Sequence, residues 1–331
     1  MTPGSAVCPS KPLLRIATHG VGAEDMVALP LAEGRVRLFL REVCHGRGCT
    51  PDRFRVGCVD IGPETAPVRT DCAWRPPTAE PFKPLGMSLL AEGPVGVGTL
   101  YLLDTAQPPR IWRLEIVAGE ITEAEVVREW QGDVLRHGNN LQAVGETLYV
   151  TRFDPLGWWP WRRERWHGVV ALRKNAPPRL FELGLRGANG IVDLGPGREL
   201  LVANYWGRDL RFVAKDGAVS GESAIASARL PIYPDNLSRD GERILIAGQR
   251  YPLLAALNLL LPWVPSPSAV YAIDIQRLGP AAEPELLWQG GWRYGRSVSV
   301  AVSMPGGLAL GQIRAADVLL LQCETSVKAG T

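Results

Sequence analysis

Short β-rich runs return along the whole chain at nearly even spacing, and this repetition limits the folds open to it. "RVRLFL" (35–40), "TLYLLDT" (99–105), "TLYVTRF" (147–153), "ELLVANY" (199–205), "RILIAG" (243–248) and "GLALGQI" (307–313) each follow a turn containing Gly or an acidic residue. They stand roughly 45–65 residues apart. Partner runs such as "RIWRLEIV" (110–117), "GVVALR" (168–173), "DLRFVAK" (209–215) and "AVYAID" (269–274) fill the intervals. A unit of this length cannot bury its apolar face alone, and stacking such units around a ring makes a β-propeller. Strands do not alternate with helical patterns, which argues against a doubly wound sheet. The expected fold is all-β: one six-bladed β-propeller domain over 1–331, closed by N- and C-terminal strands.

The composition agrees with a packed globular chain: 46% of 331 residues are hydrophobic and 21% charged. A net charge of +2 gives no reason to expect a nucleic-acid partner. No run of about 18 apolar residues spans a bilayer. No hydrophobic signal region follows Met1, so the chain is cytosolic as written or its leader has been removed. Cys8, Cys44, Cys49, Cys58, Cys72 and Cys323 favour the second reading. They are even in number and lack CxxC spacing, which points to disulfides and to a secreted or periplasmic location. "CHGRGC" (44–49) lacks a fourth ligand at zinc-site spacing. Cys8 and Cys323 sit at the two chain ends, and joining them would close a ring of nearly the whole protein. The chain-entropy model values such closure at about 5 kcal/mol. Cys44, Cys49, Cys58 and Cys72 leave three connectivities open.

Four stretches put oxygen-bearing side chains where strands start: "GAED" (22–25), "HGNNLQAVG" (137–145), "GANGIVDLG" (187–195) and "YPDNLSRDG" (233–241). The first strand of a propeller blade lines the central channel, so these side chains would converge on the axis. They offer Glu24, Asn139, Asn189, Asp235 and Asn236, all oxygen donors. That set suits a hard cation, Ca²⁺ before Mg²⁺, because Ca²⁺ accepts many oxygens in irregular geometry. Glu24 and Asp25 are adjacent in a strand and point to opposite faces, so they serve different neighbours.

In order along the chain, these stretches resemble the serum paraoxonase/arylesterase family of six-bladed calcium propellers, relatives of the gluconolactonase and diisopropylfluorophosphatase propellers. "GAEDMVALP" (22–30) is similar to the family's G-[ST]-E-D segment, and "FKPLGMSLL" (82–90) with "TLYLLDT" to its second blade. "NNLQAVGETLYVTRFDP" (139–155) resembles N-D-I-x-A-V-G. "ANGIVDLGPGRELLVAN" (188–204) resembles A-N-G-I-x-x-S-P-D-G-K, and "PDNLSRDGERILIAG" (234–248) D-N-[IL]-S. "LLLQCE" (319–324) resembles the C-terminal cysteine strand.

The resemblance implies a catalytic calcium on Glu24, Asn139, Asn189, Asp235 and Asn236. It implies a second, structural calcium on Asp25, Asn140 and the Met87 carbonyl, and a Cys8–Cys323 disulfide. Two departures stand out. The family has Asp where this chain has Asn140. Its catalytic histidine pair would fall at Leu85 and Gln107, and neither is His. The chain's histidines are His19, His45, His137 and His167.

The expected activity is therefore calcium-dependent hydrolysis of esters or lactones, the ion polarising the scissile carbonyl. Asp235 is the expected base or nucleophile, with Asp104 second. The alternatives are a phosphotriesterase-like hydrolase in the same site and a propeller that has lost catalysis and binds lipid. A strictosidine-synthase-like propeller would need no calcium ligands. "GPVGVG" (93–98) lacks a strand–helix context and reads as a turn. No GxSxG elbow is present. "GWWPWRRERWHG" (157–168) and "YPLLAALNLLLPWVP" (251–265) have the aromatic, basic and apolar content of interfacial segments or lids. The expected partners are a small-molecule ester or lactone and, peripherally, a membrane or lipid surface. A monomer is expected.

Overall fold

The computed structural model describes residues 6–9, 12–18, 22–43, 54–63, 67–77, 80–91, 93–153, 168–181, 184–215, 224–261, 263–290, 297–315 and 317–325. The chain opens with two short strands, β1 (Ala6–Val7) and β2 (Leu14–Ala17). Six four-stranded antiparallel sheets follow as blades. Blade 1 is β3 (Gly22–Pro30), β4 (Val36–Val43), β5 (Arg55–Ile61) and β6 (Val68–Trp74). Blade 2 is β7 (Pro84–Ala91), β8 (Gly98–Asp104), β9 (Arg110–Val117) and β10 (Glu120–Gln131). Blade 3 is β11 (Gly138–Val144), β12 (Thr147–Arg152), β13 (Gly168–Arg173) and β14 (Arg179–Phe181). Blade 4 is β15 (Ala188–Asp193), β16 (Leu200–Asn204), β17 (Asp209–Val213) and β18 (Ala224–Ile225). Blade 5 is β19 (Tyr233–Asp240), β20 (Arg243–Gln249), β21 (Ser268–Asp274) and β22 (Glu285–Gln289). Blade 6 takes β23 (Val298–Met304), β24 (Gly307–Gln312) and β25 (Asp317–Gln322) from the C-terminal end and β2 from the N-terminal end.

The repeating runs that dominate the sequence are the second strands of the blades, and the polar stretches belong to the innermost strands themselves. The physical reason is packing. A second strand is covered on both faces by neighbouring blades, so β16 is buried along its whole length and reads as an unbroken apolar run. The innermost strands give up some of that signal to the axis. The core is accordingly a set of wedges between blades. Leu201 and Leu210 of blade 4 pack on Ile244 and Ile246 of blade 5. Leu245 and Val270 of blade 5 pack on Leu310 and Leu319 of blade 6.

Closure follows the expectation. β2 pairs with β25, Leu14 opposite Leu320. β1 pairs with the final strand β26 (Glu324–Thr325), Val7 opposite Glu324. A Cys8–Cys323 disulfide pins that ribbon across a separation of 315 residues. Cys58 is disulfide-bonded as well. The side chains of Cys44, Cys49 and Cys72, among which its partner stands, lie outside the described residues. "GPVGVG" joins β7 to β8 as a turn.

Candidate functional site

Every innermost strand slips register against its neighbour near its start. The slips fall between Ala23 and Asp25, Pro84 and Met87, Gly138 and Leu141, Ala188 and Ile191, Pro234 and Leu237, and Val298 and Val300. A bulge re-aims the side chain it frees. The freed positions are Glu24, Leu85, Asn139, Asn189, Asp235 and Ser299, one per blade. Asn140 and Asn236 occupy the next bulge position in blades 3 and 5, where blades 2 and 4 have Gly86 and Gly190. A Cβ on Gly86 would stand 2.6 Å from the Asn140 Cα, and one on Gly190 2.5 Å from the Asp235 carbonyl. Glycine therefore lets adjacent strands close in on the axis.

These residues interlock across the channel. The Asn140 side-chain amide donates to Asn236 Oδ1 at 2.6 Å. Asn236 Nδ2 and Ser299 Oγ donate to the Glu24 carbonyl at 3.2 and 2.7 Å. Asn139 donates to Asn189 Oδ1. Arg41, on β4, is buried beside Glu24. Its Nη1 donates to the Glu24 carboxylate and its Nε to the Pro84 carbonyl at 2.7 Å. Gln249, at the end of β20, donates from Nε2 to Asp235 Oδ2 at 2.8 Å.

Two carboxylates here are held far from their ordinary range. Burial pushes Asp235 up to about 7, helped by the charges of Glu24 and Asp25 and opposed by hydrogen bonds from Gln249 and Asn189. Burial likewise pushes Asp25 up to about 7, opposed by the Met87 and Met26 amides and by Arg41. Three acidic side chains thus share a small volume with one guanidinium.

The residues fit one cation. Glu24, Asn139, Asn189, Asp235 and Asn236 are oxygen-bearing, come from four blades, and include the half-buried Asp235, whose charge burial and like charges penalise. A cation would relieve that penalty. The residues expected to hold a second ion are bonded to backbone amides. Asp25 Oδ1 accepts the Met26 N–H at 2.9 Å and Oδ2 the Met87 N–H at 2.7 Å. Met87 thus turns its amide to the carboxylate. Asn140 Oδ1 accepts the Leu141 N–H at 2.6 Å, and its amide brings no charge.

Asp104 is not brought to this cluster. It is fully buried at the end of β8. Its oxygens accept the Lys83 and Ala106 amides, Arg110 Nε and Trp112 Nε1, at 2.8, 3.0, 2.9 and 3.3 Å. Leu85 packs against an apolar cluster between blades 2 and 3, and Gln107 is exposed beside Pro108. His19, His45 and His167 lie outside the described residues.

Four features were missed in the sequence: Arg41, Ser299, Gln249 and an aromatic wall beside Asp235. In that wall Tyr205 meets Phe153, Trp206 and Tyr233 at centroid distances of 5.4, 4.9 and 5.5 Å. A cavity of about 380 Å³ lies behind it, lined by Arg186, Trp206, Asp209, Ser227 and Arg229. α1 (Pro252–Leu260) occupies the β20–β21 connection. Because Tyr233 pairs with Gln249, that connection leaves blade 5 at the end where Asp235 stands. Leu253 and Trp263 are each 71% exposed there. Trp158 and Trp159 lie outside the described residues. Among the described residues no helix is long and apolar enough to cross a membrane.

No family model matches the chain and no curated protein does. Among solved structures it is similar to a protein assigned as a gluconolactonase, at 13% identity over 96% of this chain and 94% of that one, with a TM-score of 0.54. A gluconolactonase from Xanthomonas campestris is similar at 12% identity over 98% and 99%, TM-score 0.50. The luciferin-regenerating enzyme is similar at 12% identity over 95% and 94%, TM-score 0.50. These neighbours are gluconolactonase-like six-bladed propellers, and at such identities the likeness is one of fold.

Proposed function

We propose that this propeller is a calcium-dependent hydrolase of esters or lactones, with Asp235 as its base or nucleophile. The observation that carries the reading is the place of Asp235: a half-buried carboxylate at the bulge of an innermost strand, among oxygen-bearing side chains and held by Gln249 Nε2 at 2.8 Å. With a cation beside it the carboxylate is held ionised, the form that can take a proton from water or attack a carbonyl. Glu24, Asn139, Asn189, Asp235 and Asn236 would hold the ion. A bound calcium supplies a Lewis acid for the scissile carbonyl. Asp235 receives the proton of the attacking water or attacks the carbonyl itself. Gln249 and Asn189 orient its carboxylate, and the rings of Tyr205, Trp206 and Tyr233 offer an apolar wall for the acyl or aryl part of the substrate. Neighbours described as gluconolactonases support lactone chemistry on this fold. The finer, paraoxonase-like reading rests on the order of the sequence motifs.

The test is a hydrolysis screen of lactones, aryl esters and phosphotriesters with and without Ca²⁺. Calcium-dependent turnover of lactones or esters supports the reading. Turnover of phosphotriesters alone would move the activity to that class. The absence of histidine at Leu85 and Gln107 favours a second reading, a propeller that binds without turnover. Binding without hydrolysis across the screen would establish it.

The Cys8–Cys323 disulfide supports an oxidising compartment, secreted or periplasmic. The exposed apolar side chains of Leu253 and Trp263 support contact with a lipid surface at the site-bearing face. Liposome co-sedimentation that falls on Leu253→Ser/Trp263→Ser would bear this out. A wild type that never sediments with vesicles would leave α1 as a lid.

A further inference from the structure

We propose that Gln249, oriented by the Val298 carbonyl and anchored by Tyr205, is the positioning residue that fixes the Asp235 carboxylate for reaction. The inference rests on Asp235 being the reactive group. Gln249 is buried, and all its side-chain bonds agree on one orientation. Nε2 donates to Asp235 Oδ2 at 2.8 Å and to the Val298 carbonyl at 3.2 Å. Oε1 accepts the Tyr205 hydroxyl at 3.2 Å. A carboxamide can flip by half a turn with little change in shape. Here a flip would set Oε1 against two acceptors, Asp235 Oδ2 and the Val298 carbonyl, while the Tyr205 hydroxyl can bond either end of the amide. The Val298 carbonyl thereby obliges the amide to present its donors on the Asp235 side, and Tyr205 holds the oxygen at the other end.

The link also ties three blades to the reacting group. Tyr205 belongs to blade 4, Gln249 and Asp235 to blade 5, and Val298 to the innermost strand of blade 6. The Tyr205 ring is clamped edge-on by Trp206 at 4.9 Å and by Phe153 at 5.4 Å. Gln249 has no direct role in the chemistry. It holds one carboxylate oxygen, Oδ2, and Asn189 is the carboxylate's other side-chain partner.

The experiment is a double-mutant cycle. Gln249→Leu keeps the volume and removes both donors and the acceptor. It should lower kcat by up to about the 10²-fold that misplacing a reacting group costs, with little change in KM. Tyr205→Phe should cost less, since Nε2 keeps its two acceptors. In an Asp235→Asn background, Gln249→Leu should add almost nothing to the loss, whereas a purely structural contribution would multiply it. Full activity in Asp235→Asn defeats the functional reading. Loss in Asp235→Asn with normal kcat in Gln249→Leu defeats the positioning role alone. A readout free of turnover is the ¹⁵N side-chain amide resonance of Gln249, identified by its disappearance in Gln249→Leu. It should shift in both Asp235→Asn and Tyr205→Phe, and a resonance unmoved by either overturns the proposal.

Discussion

Asp104 and Asp235 both sit inside the propeller close to a blade's channel-side rim, and their surroundings treat them in opposite ways. Asp104 receives four donors, one of them the Arg110 guanidinium, and all four come from blade 2 or the loop before it. Its charge is paired and its oxygens are occupied. Asp235 is held by the neutral amides of Gln249 and Asn189 and faces the like charges of Glu24 and Asp25. Burial without a charge partner penalises the ionised form, which is the usual origin of a carboxylate poised near neutrality. A carboxylate paired with a guanidinium serves the fold. One left among amides and other acids stays available for a cation, a proton or a substrate.

The largest effect expected from this contrast is on turnover. Asp235→Asn keeps volume and an acceptor for Gln249 but removes basicity. Steady-state kinetics should show kcat down by about 10²–10⁴-fold with a melting temperature near wild type. Asp104→Asn should do the reverse. It leaves Arg110 facing a neutral amide in a buried site, and breaking such a pair costs about 3 kcal/mol or more. Arg110 keeps its second ion pair, to Glu80, so the lower end is expected in urea unfolding, while kcat below the transition stays within about twofold. A stable, inactive Asp104→Asn would collapse the distinction.

The sequence showed the ring more clearly than what controls it. Glu24, Asn139, Asn189, Asp235 and Asn236 stand out because polar side chains interrupt strands that should be apolar, and hydrogen bonds link Asn139 to Asn189, Asn189 to Asp235, and Asn236 to the Glu24 carbonyl. Ser299 escaped because "VSVAVSM" alternates small residues without any turn signal. Arg41 sits in "RVRLFLREV", where alternation reads as a solvent face, and its burial depends on the Pro84 carbonyl of the next blade. Gln249 and Tyr205 come together only where blade 4 packs against blade 5. Asp104 misled for a local reason: its opposite partner across the hairpin is Arg110, a register that spacing alone does not fix. The second ion expected at Asp25 and Asn140 depends on which way backbone amides point, and no side-chain pattern carries that.

Next in size is the effect of the cation on the two environments. An ion held by Glu24, Asn139, Asn189, Asp235 and Asn236 binds the folded chain alone, and at a hundred times its dissociation constant it stabilises by about 2.7 kcal/mol. Calorimetry should show the melting temperature fall in chelator and recover with Ca²⁺. In Asn189→Ala the recovery should shrink, because a ligand is gone. In Asp104→Asn the recovery should stay whole on a lower baseline. Equal recovery in Asn189→Ala and wild type would remove Asn189 from the ligand set.

Measured per pH unit and per group, the smallest effect expected is on a slope. Asp25 and Asp235 are each pushed up to about 7 in the folded chain from an ordinary value of 3.8. Between those values the folded state holds a proton at each site that the unfolded state has released. Stability in chelator should therefore fall as pH rises from about 4 to about 7. Below that window both states are protonated, and above it both are ionised, so the curve should flatten at either end. Each group contributes a slope of at most about 1.4 kcal/mol per pH unit. Asp25→Asn removes one of the two and should roughly halve the slope. The absolute stability drops as well, because an amide nitrogen would then face one of the two backbone N–H groups that the carboxylate accepts. The slope is the diagnostic, since Asp104→Asn lowers the level without touching it. Urea midpoints at several pH values in chelator give both quantities. If Asp25→Asn leaves the slope as it is in wild type, Asp25 titrates like an ordinary carboxylate and its two amide bonds outweigh its burial.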